Sequence, residues 1–150
     1  MSAGDVVKGK GVTIRVKSGN LESAKDKDFD FAKCVLGQLG FKLPSTENGI
    51  YWADFTPPQE GYTWLLDGIA LDDLNFSFVD LKYKGSSKDP GSGKFTEFLV
   101  TLWHEIKGHN IDEGFDSPEF DAKYEAPVKA AIKAAKNNDK WEDIVKKCSC

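Results

Sequence analysis

Cysteine, arginine, histidine and long apolar runs are all scarce in this chain of 150 residues. Its three cysteines, Cys34, Cys148 and Cys150, are too few and too unevenly spaced for a disulfide framework or a four-cysteine zinc site. The last two lie in KKCSC, which predicts a frayed basic end. No apolar run approaches the roughly 20 residues of a membrane span, and the first residues lack the apolar core of a signal peptide. As written, the sequence indicates a cytoplasmic protein without a membrane partner.

The scarcity of arginine counts against nucleic-acid binding, because proteins use arginine to hold phosphate groups. Arg15 is the single arginine. The net charge is −4, with an acidic excess in residues 20–120 and basic excesses at both ends. This distribution still leaves room for a metal-dependent nuclease, which needs an acidic centre and can take a cationic rim from the two ends.

Hydrophobic periodicity predicts a single domain, residues 1–150, that contains both strands and helices. The segments with strand-like composition or alternation are 6–17, 49–55, 61–71 and 75–85. The segments with helical spacing are 29–39, 94–107 and the helices within 117–147. We expect 61–71 and 75–85 to be neighbouring antiparallel strands.

Both histidines stand in the stretch LWHEIKGHN, residues 102–110, with Glu105 directly after His104. In the zinc peptidase motif HExxH the histidines are four residues apart, so both imidazoles face one side of a helix. Here His109 follows His104 by five residues. Gly108 occupies the fourth position, where it predicts a helix end.

The apolar stripe of this helix predicts where each histidine points. Its members are Phe95, Phe98, Leu99, Leu102, Trp103 and Ile106. At about 100° per residue, His104 points away from the stripe, and the two histidines diverge by about 140°. We therefore predict that His104 lies on the surface, that His109 lies at the helix end, and that neither binds zinc.

A π-bulge in the helix would change this geometry. The sequence HEIKGH resembles in this respect the HELLGH signature of the dipeptidyl peptidase III family. That resemblance implies a zinc metallopeptidase with a further glutamate downstream, for which Glu113 and Glu119 are the nearby candidates. An HExxxH zinc metallopeptidase is therefore one alternative function.

A second chemical signature lies in WLLDGIALDDLNFSFVDLKYKG, residues 64–85. Asp67 stands in the first β-rich run, and Asp80 and Lys82 share one face of the second because strand side chains alternate. Two carboxylates that converge from adjacent strands make an oxygen site suited to Mg²⁺ or Mn²⁺. A lysine beside it can orient or deprotonate the attacking water. The predicted catalytic residues are Asp67, Asp80 and Lys82, with both aspartates as metal ligands.

The order of these features resembles the restriction-endonuclease-like, PD-(D/E)XK nuclease superfamily, over about residues 26–108. The segments that carry the resemblance are Leu39-Gly40-Phe41, Asp67-Gly68-Ile69 and Asp80-Leu81-Lys82-Tyr83. It implies an α/β (α+β) fold, with a mixed sheet in an αβββαβ core over about 20–110 and a helical extension over 117–147. It also implies metal-dependent hydrolysis of phosphodiester bonds in DNA or RNA, including tRNA.

The small domain favours the toxin-type branch of that superfamily, whose members are C-terminal domains of secreted bacterial toxins. This resemblance implies delivery into the cytoplasm of a target cell and a cognate immunity protein as partner. The acidic middle of the chain favours a different class, a non-catalytic immunity or binding protein that caps a basic toxin. That alternative predicts acids spread over an exposed surface instead of converging carboxylates.

Overall fold

Short strands and a larger set of helices make up the described part of the chain. A computed structural model describes residues 6–9, 12–16, 27–43, 50–56, 61–63, 77–112 and 114–149. The strands are β1 (Val6–Gly9), β2 (Val12–Val16), β3 (Ile50–Thr56), β4 (Gly61–Thr63) and β5 (Ser77–Asp80). The helices are α1 (Lys27–Gln38), α2 (Gly93–Leu102), a π-helix (Trp103–Ile111), α3 (Pro118–Tyr124), α4 (Ala126–Asn137) and α5 (Trp141–Cys148). Two 3-10 turns, Leu81–Tyr83 and Ser86–Lys88, lie between β5 and α2.

The strands pair in the order β1-β2-β3-β5-β4. β3 and β5 run parallel, with Trp52 opposite Val79, while the other neighbours are antiparallel. Trp52 and Val79 are both buried, so this face lies against the core. The predicted antiparallel pairing is confirmed for β4 and β5, whereas residues 64–76 lie outside the described residues.

The predicted fold, an αβββαβ core built on a mixed sheet, is wrong. Two strands precede α1, and helices follow α2 where the prediction requires a closing strand. Most residues whose side chains are described lie in helices, and only Trp52, Val79 and Asp80 among them lie in strands. The physical reason is that most apolar residues of the described core recur at helical spacing, so helices bury most of it.

Helix α1 forms where the sequence predicts it. The residues that it buries are Phe29, Ala32, Val35 and Leu36. They recur at helical spacing, so they lie on one face and pack inward. The helix stops before Gly40, which takes the left-handed conformation with φ of 94° that favours glycine.

Helix α2 confirms the predicted apolar stripe. Five of the six residues of this stripe are buried, and the sixth, Trp103, is half-buried. Its first turn is capped by Ser92, whose hydroxyl accepts a hydrogen bond from the amide of Phe95. Val100 and Thr101 are buried as well, because α1 and α4 also pack against this helix. A helix that is covered on several sides is a core helix. The side opposite the apolar stripe, which we expected to face solvent, is therefore covered as well.

The C-terminal helices supply that cover. Ser117 caps α3 and Pro118 follows at the first helical position, as predicted. Helix α4 packs against α2 and buries Val128, while Trp141 of α5 meets the ring of Phe95 edge-on. Among the described residues, no helix has both the length and the hydropathy needed to cross a bilayer.

A disulfide between Cys34 and Cys148 joins α1 to α5 across 114 positions of sequence. The prediction of a frayed end is therefore wrong for Cys148, because this bond and the packing of Ile144 and Val145 hold α5 against the core. Closing so long a loop stabilises a fold mainly by lowering the entropy of the unfolded chain. Disulfides persist where thiols are oxidised, so we expect this bond to hold under oxidising conditions and to break on reduction.

We expect Cys34→Ser to lower the free energy of unfolding by about 2–4 kcal/mol, because the unfolded chain regains loop entropy. Cys148→Ser and the double variant should show the same loss, since each change removes the same bond. Thermal unfolding with and without a reductant measures the effect. The matched control is Cys150→Ser, which should keep both the stability and the sensitivity to reduction. A Cys34→Ser variant as stable as the oxidised wild type would contradict the prediction.

Candidate metal centre

The helix that carries both histidines changes register at Trp103, where α2 passes into the π-helix. In a π-helix each amide bonds to the carbonyl five residues earlier instead of four. The amide of Asp112 keeps this pattern by donating to the carbonyl of Lys107 at 3.0 Å. The amide of Gly114 then donates to the carbonyl of Gly108 at 2.9 Å. A residue and the fifth residue after it therefore lie one turn apart on the same face.

The wide turn brings His104 and His109 together, with ring centroids 4.7 Å apart. The predicted divergence of about 140° is wrong, because it assumed the 3.6-residue repeat of an α-helix. Gly108 does not end the helix but lies inside the π-helix. His104 is not a surface residue, since its side chain is 14% exposed and packs against Phe120 of α3.

Three groups that could bind a metal ion meet on this face. His104 Nε2 lies 3.0 Å from His109 Nε2, and Asp116 Oδ1 lies 3.3 Å from the former and 3.0 Å from the latter. Zinc binds nitrogen and oxygen at about 2.0–2.2 Å, so two of its ligands at a tetrahedral angle lie about 3.3 Å apart. The triangle of ligand atoms therefore has the size of one face of a tetrahedral zinc site.

Contacts on the far side of each ring indicate which nitrogen carries the hydrogen. His109 Nδ1 lies 2.8 Å from the carbonyl oxygen of Gly114, which can only accept, so this Nδ1 is the donor. His104 Nδ1 lies 2.8 Å from Glu125 Oε2, which also requires a donor. This second contact is short but is not aligned as a full hydrogen bond. Both Nε2 atoms are then left as acceptors beside Asp116.

In this tautomeric state, three groups of lone pairs converge on one point. A cation between them, either a proton or a metal ion, removes their mutual repulsion. Burial lowers the pKa of His104, and the neighbouring His109 lowers it further, against the raising effects of Glu125 and Asp116. The neutral imidazole, which a lowered pKa favours, is also the form that binds metal.

Glu105 lies beside the cluster and is buried, with 4% of its surface exposed. Its Oε2 lies 3.8 Å from His104 Nε2. A carboxylate at this distance from a ligand atom is within reach of a water molecule in the remaining coordination position. The Asp116 side chain is 75% exposed, so the cluster is open to solvent on that side.

Phe120 forms a wall against both imidazoles. Its ring stacks on His109 with centroids 4.4 Å apart and meets His104 edge-on at 4.8 Å. A Cβ on Gly108 would lie 2.3 Å from Phe120 Cζ, and a Cβ on Gly114 would lie 2.7 Å from Phe120 Cε2. The two glycines therefore make room for the ring, which holds the imidazole planes in place.

Asp112 ties the end of the π-helix to α3. Its carboxylate accepts hydrogen bonds from the Tyr124 hydroxyl at 2.6 Å and from Lys107 Nζ at 3.0 Å. Burial opposes ionisation, but these two bonds outweigh it and hold the pKa of Asp112 below its usual value. The bond to Asp112, with burial, raises the pKa of Tyr124 to about 12. This anchor holds Asp112, four residues before Asp116, against α3.

The residues predicted for a nuclease site have other surroundings. Asp80 ends β5, and its Oδ1 accepts a hydrogen bond from the amide of Lys82 at 2.8 Å. This bond starts the 3-10 turn, so Lys82 does not share a strand face with Asp80. The exposed amine of Lys82 lies over the Tyr83 ring at 5.0 Å. Asp67 lies outside the described residues, so the catalytic and metal-binding roles of the three stay predictions.

Asp116 and Glu125 belong to the cluster, but the sequence analysis did not single them out. Of the glutamates that it considered, Glu113 lies outside the described residues and Glu119 is exposed on α3. The sequence feature that could have indicated Asp116 and Glu125 is the helix start at Ser117. It predicts a turn and a short helix directly after the histidines, and acids just before and just after that helix are natural candidates for the same site.

We expect Gly108→Ala to disturb the histidine pair, because the new Cβ overlaps the Phe120 ring. Overpacking of this kind costs about 1–3 kcal/mol of stability, and zinc affinity should fall with the ligand geometry. Thermal unfolding and a zinc titration measure both effects. Gly37→Ala in α1 is the matched control, since its Cβ meets nothing within 4 Å. Wild-type zinc affinity in Gly108→Ala would argue against the role given to Phe120.

We expect Tyr124→Phe to lower the free energy of unfolding at neutral pH by about 1–2 kcal/mol, because Asp112 loses a hydrogen bond. The pKa of Asp112 is lowered by folding, so its contribution is present above the unfolded pKa near 4 and is lost as pH falls through the folded value. The stability difference between the two proteins should therefore shrink in acid. Chemical denaturation across that pH range tests this, and a difference independent of pH would refute it.

Comparison with protein-family models, with curated proteins and with solved structures gives no match to this chain. The nuclease superfamily and the peptidase family that its short motifs resemble are thereby neither supported nor excluded. The cluster formed by His104, His109, Asp116 and Glu125, with its surroundings, is therefore the basis for a functional proposal.

Proposed function

We propose that this chain is a zinc-dependent hydrolase that cleaves peptide bonds. The observation that carries the proposal is the meeting of His104 Nε2, His109 Nε2 and Asp116 Oδ1 within 3.3 Å of one another. Glu105 stands beside them as a buried carboxylate. A π-helix is rare and occurs often at functional sites, which supports a role for the face that it creates.

Zinc fits this donor set better than the Mg²⁺ or Mn²⁺ expected from the sequence. Imidazole nitrogen suits zinc, whereas Mg²⁺ and Mn²⁺ favour sites made of oxygen ligands. The Gly114 carbonyl behind His109 and Glu125 behind His104 are outer partners of the kind that orient metal-binding histidines. Three protein ligands leave one position for water or substrate, which is the arrangement of catalytic zinc sites.

Glu105 is the candidate general base. When bound, zinc would polarise a carbonyl group and lower the pKa of a water molecule at the open position to about 7. The Glu105 carboxylate would accept a proton from the attacking water and pass it to the amide nitrogen that leaves. The water oxygen adds to the carbonyl carbon, and the carbon–nitrogen bond breaks. A positioned general base contributes about 10²–10⁴-fold to such a rate.

The charges around the cluster favour a peptide substrate over a phosphodiester. The described acidic side chains of this region are Glu105, Asp112, Asp116, Glu119, Asp121 and Glu125, against Lys107, Lys123 and Lys129, and Lys129 pairs with Glu125 at 3.6 Å. An acidic surrounding repels the phosphate backbone of DNA and RNA. The resemblance of HEIKGH to the HELLGH signature supports the same choice. Nuclease activity at Asp67, Asp80 and Lys82 remains a separate prediction.

Metal analysis and a peptide-cleavage assay test the proposal. We expect one zinc ion per chain in the wild type, and loss of that ion in a His104→Ala, His109→Ala double variant. Glu105→Gln should keep the zinc but lose hydrolysis by about 10²–10⁴-fold, because only the general base is removed. The matched control is Glu142→Gln on α5, which should leave both properties unchanged.

The outcomes separate the parts of the proposal. A chain that binds no zinc in a titration would remove the metal centre and the hydrolase with it. Stoichiometric zinc with no cleavage of a peptide library would leave a structural metal site. Cleavage that survives in Glu105→Gln would assign the proton transfer to another group.

A further inference from the structure

We propose that the loop beside the metal centre is a docking surface for a cationic polypeptide segment that carries an apolar side chain. The surface consists of the apolar residues Ile111 and Phe115 and the acids Asp116, Glu119 and Asp121. Its role as the substrate-binding surface rests on the proposed function. Its ability to bind such a segment does not.

The apolar part of the surface is unusual within the described residues. Ile111 is 36% exposed and Phe115 is 77% exposed, and no other large apolar side chain of the described part is exposed to that degree. Both lie in one segment, four residues apart, between His109 and α3. Scattered exposed apolar residues are ordinary on protein surfaces, but two beside a candidate active site mark a contact for a ligand.

The backbone on both sides of Phe115 is fixed. The Gly114 amide donates to the Gly108 carbonyl at 2.9 Å, and the Gly114 carbonyl contacts His109 Nδ1 at 2.8 Å. On the other side, the Ser117 hydroxyl caps α3 by accepting from the Phe120 amide at 3.0 Å. The backbone of Phe115 is thus held directly before Asp116, which is one of the candidate metal ligands.

Charge determines which partner fits this apolar pair. Asp116, Glu119 and Asp121 are exposed, and Lys123 lies over the ring of Tyr124 at 5.4 Å. The surface is therefore acidic, which attracts cations and repels polyanions. A second copy of this chain is a poor occupant, because two identical acidic surfaces repel each other. A basic polypeptide supplies both the cationic and the apolar groups.

Binding to the inactive Glu105→Gln protein, as purified, tests this surface without cleavage. The probes are three fluorescent peptides of equal length, namely a lysine-rich peptide with one phenylalanine, the same peptide with serine for phenylalanine, and an acidic peptide with one phenylalanine. We expect the first to bind most tightly in fluorescence anisotropy, with an affinity that falls as salt is added.

Variants of the surface separate its apolar and acidic parts. Adding Phe115→Ser should weaken binding of the first peptide about tenfold, which is the loss expected when one aromatic contact is removed. Adding Glu119→Gln with Asp121→Asn should weaken it at low salt and reduce the salt dependence. The matched control is Glu142→Gln with Asp143→Asn on α5, which removes the same charge elsewhere. Zinc content should be unchanged in Phe115→Ser and in the control, and it is measured separately in the Glu119→Gln, Asp121→Asn variant, because an Asp121 oxygen lies within 4.8 Å of ligand atoms of His104 and Glu125.

Equal binding of the acidic and lysine-rich peptides, or no loss with Phe115→Ser, would overturn the docking surface. If the lysine-rich peptide binds as expected but the zinc-loaded wild type cleaves peptides without regard to these groups, the role as substrate-binding surface is wrong, while the hydrolase and the docking surface stand. If the lysine-rich peptide binds as expected and the wild type never cleaves it, the hydrolase is wrong but the surface stands.

Discussion

The five-residue hydrogen-bonding register between Trp103 and Ile111 is the constraint on which the candidate site depends. On a regular α-helix the two histidines would point in different directions, whereas here they lie one turn apart. The register is held by groups outside the helix. The amide of Gly114 returns to the Gly108 carbonyl, and Asp112 is bound by Tyr124 from α3. A π-helical register is rare, and here contacts from outside the helix accompany it.

Those surroundings explain which parts of the structure the sequence could predict. Helices α1 and α2 were located correctly because their apolar residues recur at 3.6-residue spacing, a local property. The π-helix was considered only as an alternative, and the contacts that accompany it, such as Phe120 against both histidines, come from a separate helix. The length of β5 was predicted wrongly for a local reason. Asp80 turns its carboxylate onto the Lys82 amide and ends β5, where alternation alone predicted a longer strand.

Some of the candidate ligands can be recognised in a short stretch of sequence, whereas others join them only through the tertiary fold. Glu105, His104 and His109 are visible in one short motif. Asp116 and Glu125 join them only because α3 folds back against the π-helix. Glycine at 108 was expected to end the helix, yet its lack of a side chain serves to admit an aromatic ring. The prediction from Gly108 is therefore wrong, because the neighbour that requires a glycine at this position comes from elsewhere in the chain.

The acidic residues around this site make identifiable structural contacts. Asp112 anchors the loop, Asp116 faces the imidazoles, and Glu125 contacts the buried side of His104. These acids therefore have distinct tasks, and none of them depends on a nucleic-acid substrate. Acids gathered around buried imidazoles raise the local preference for a cation, while burial of His104 disfavours the proton as that cation. Together with the geometry of the ligand atoms, these two effects support the proposal of a metal ion in the cluster.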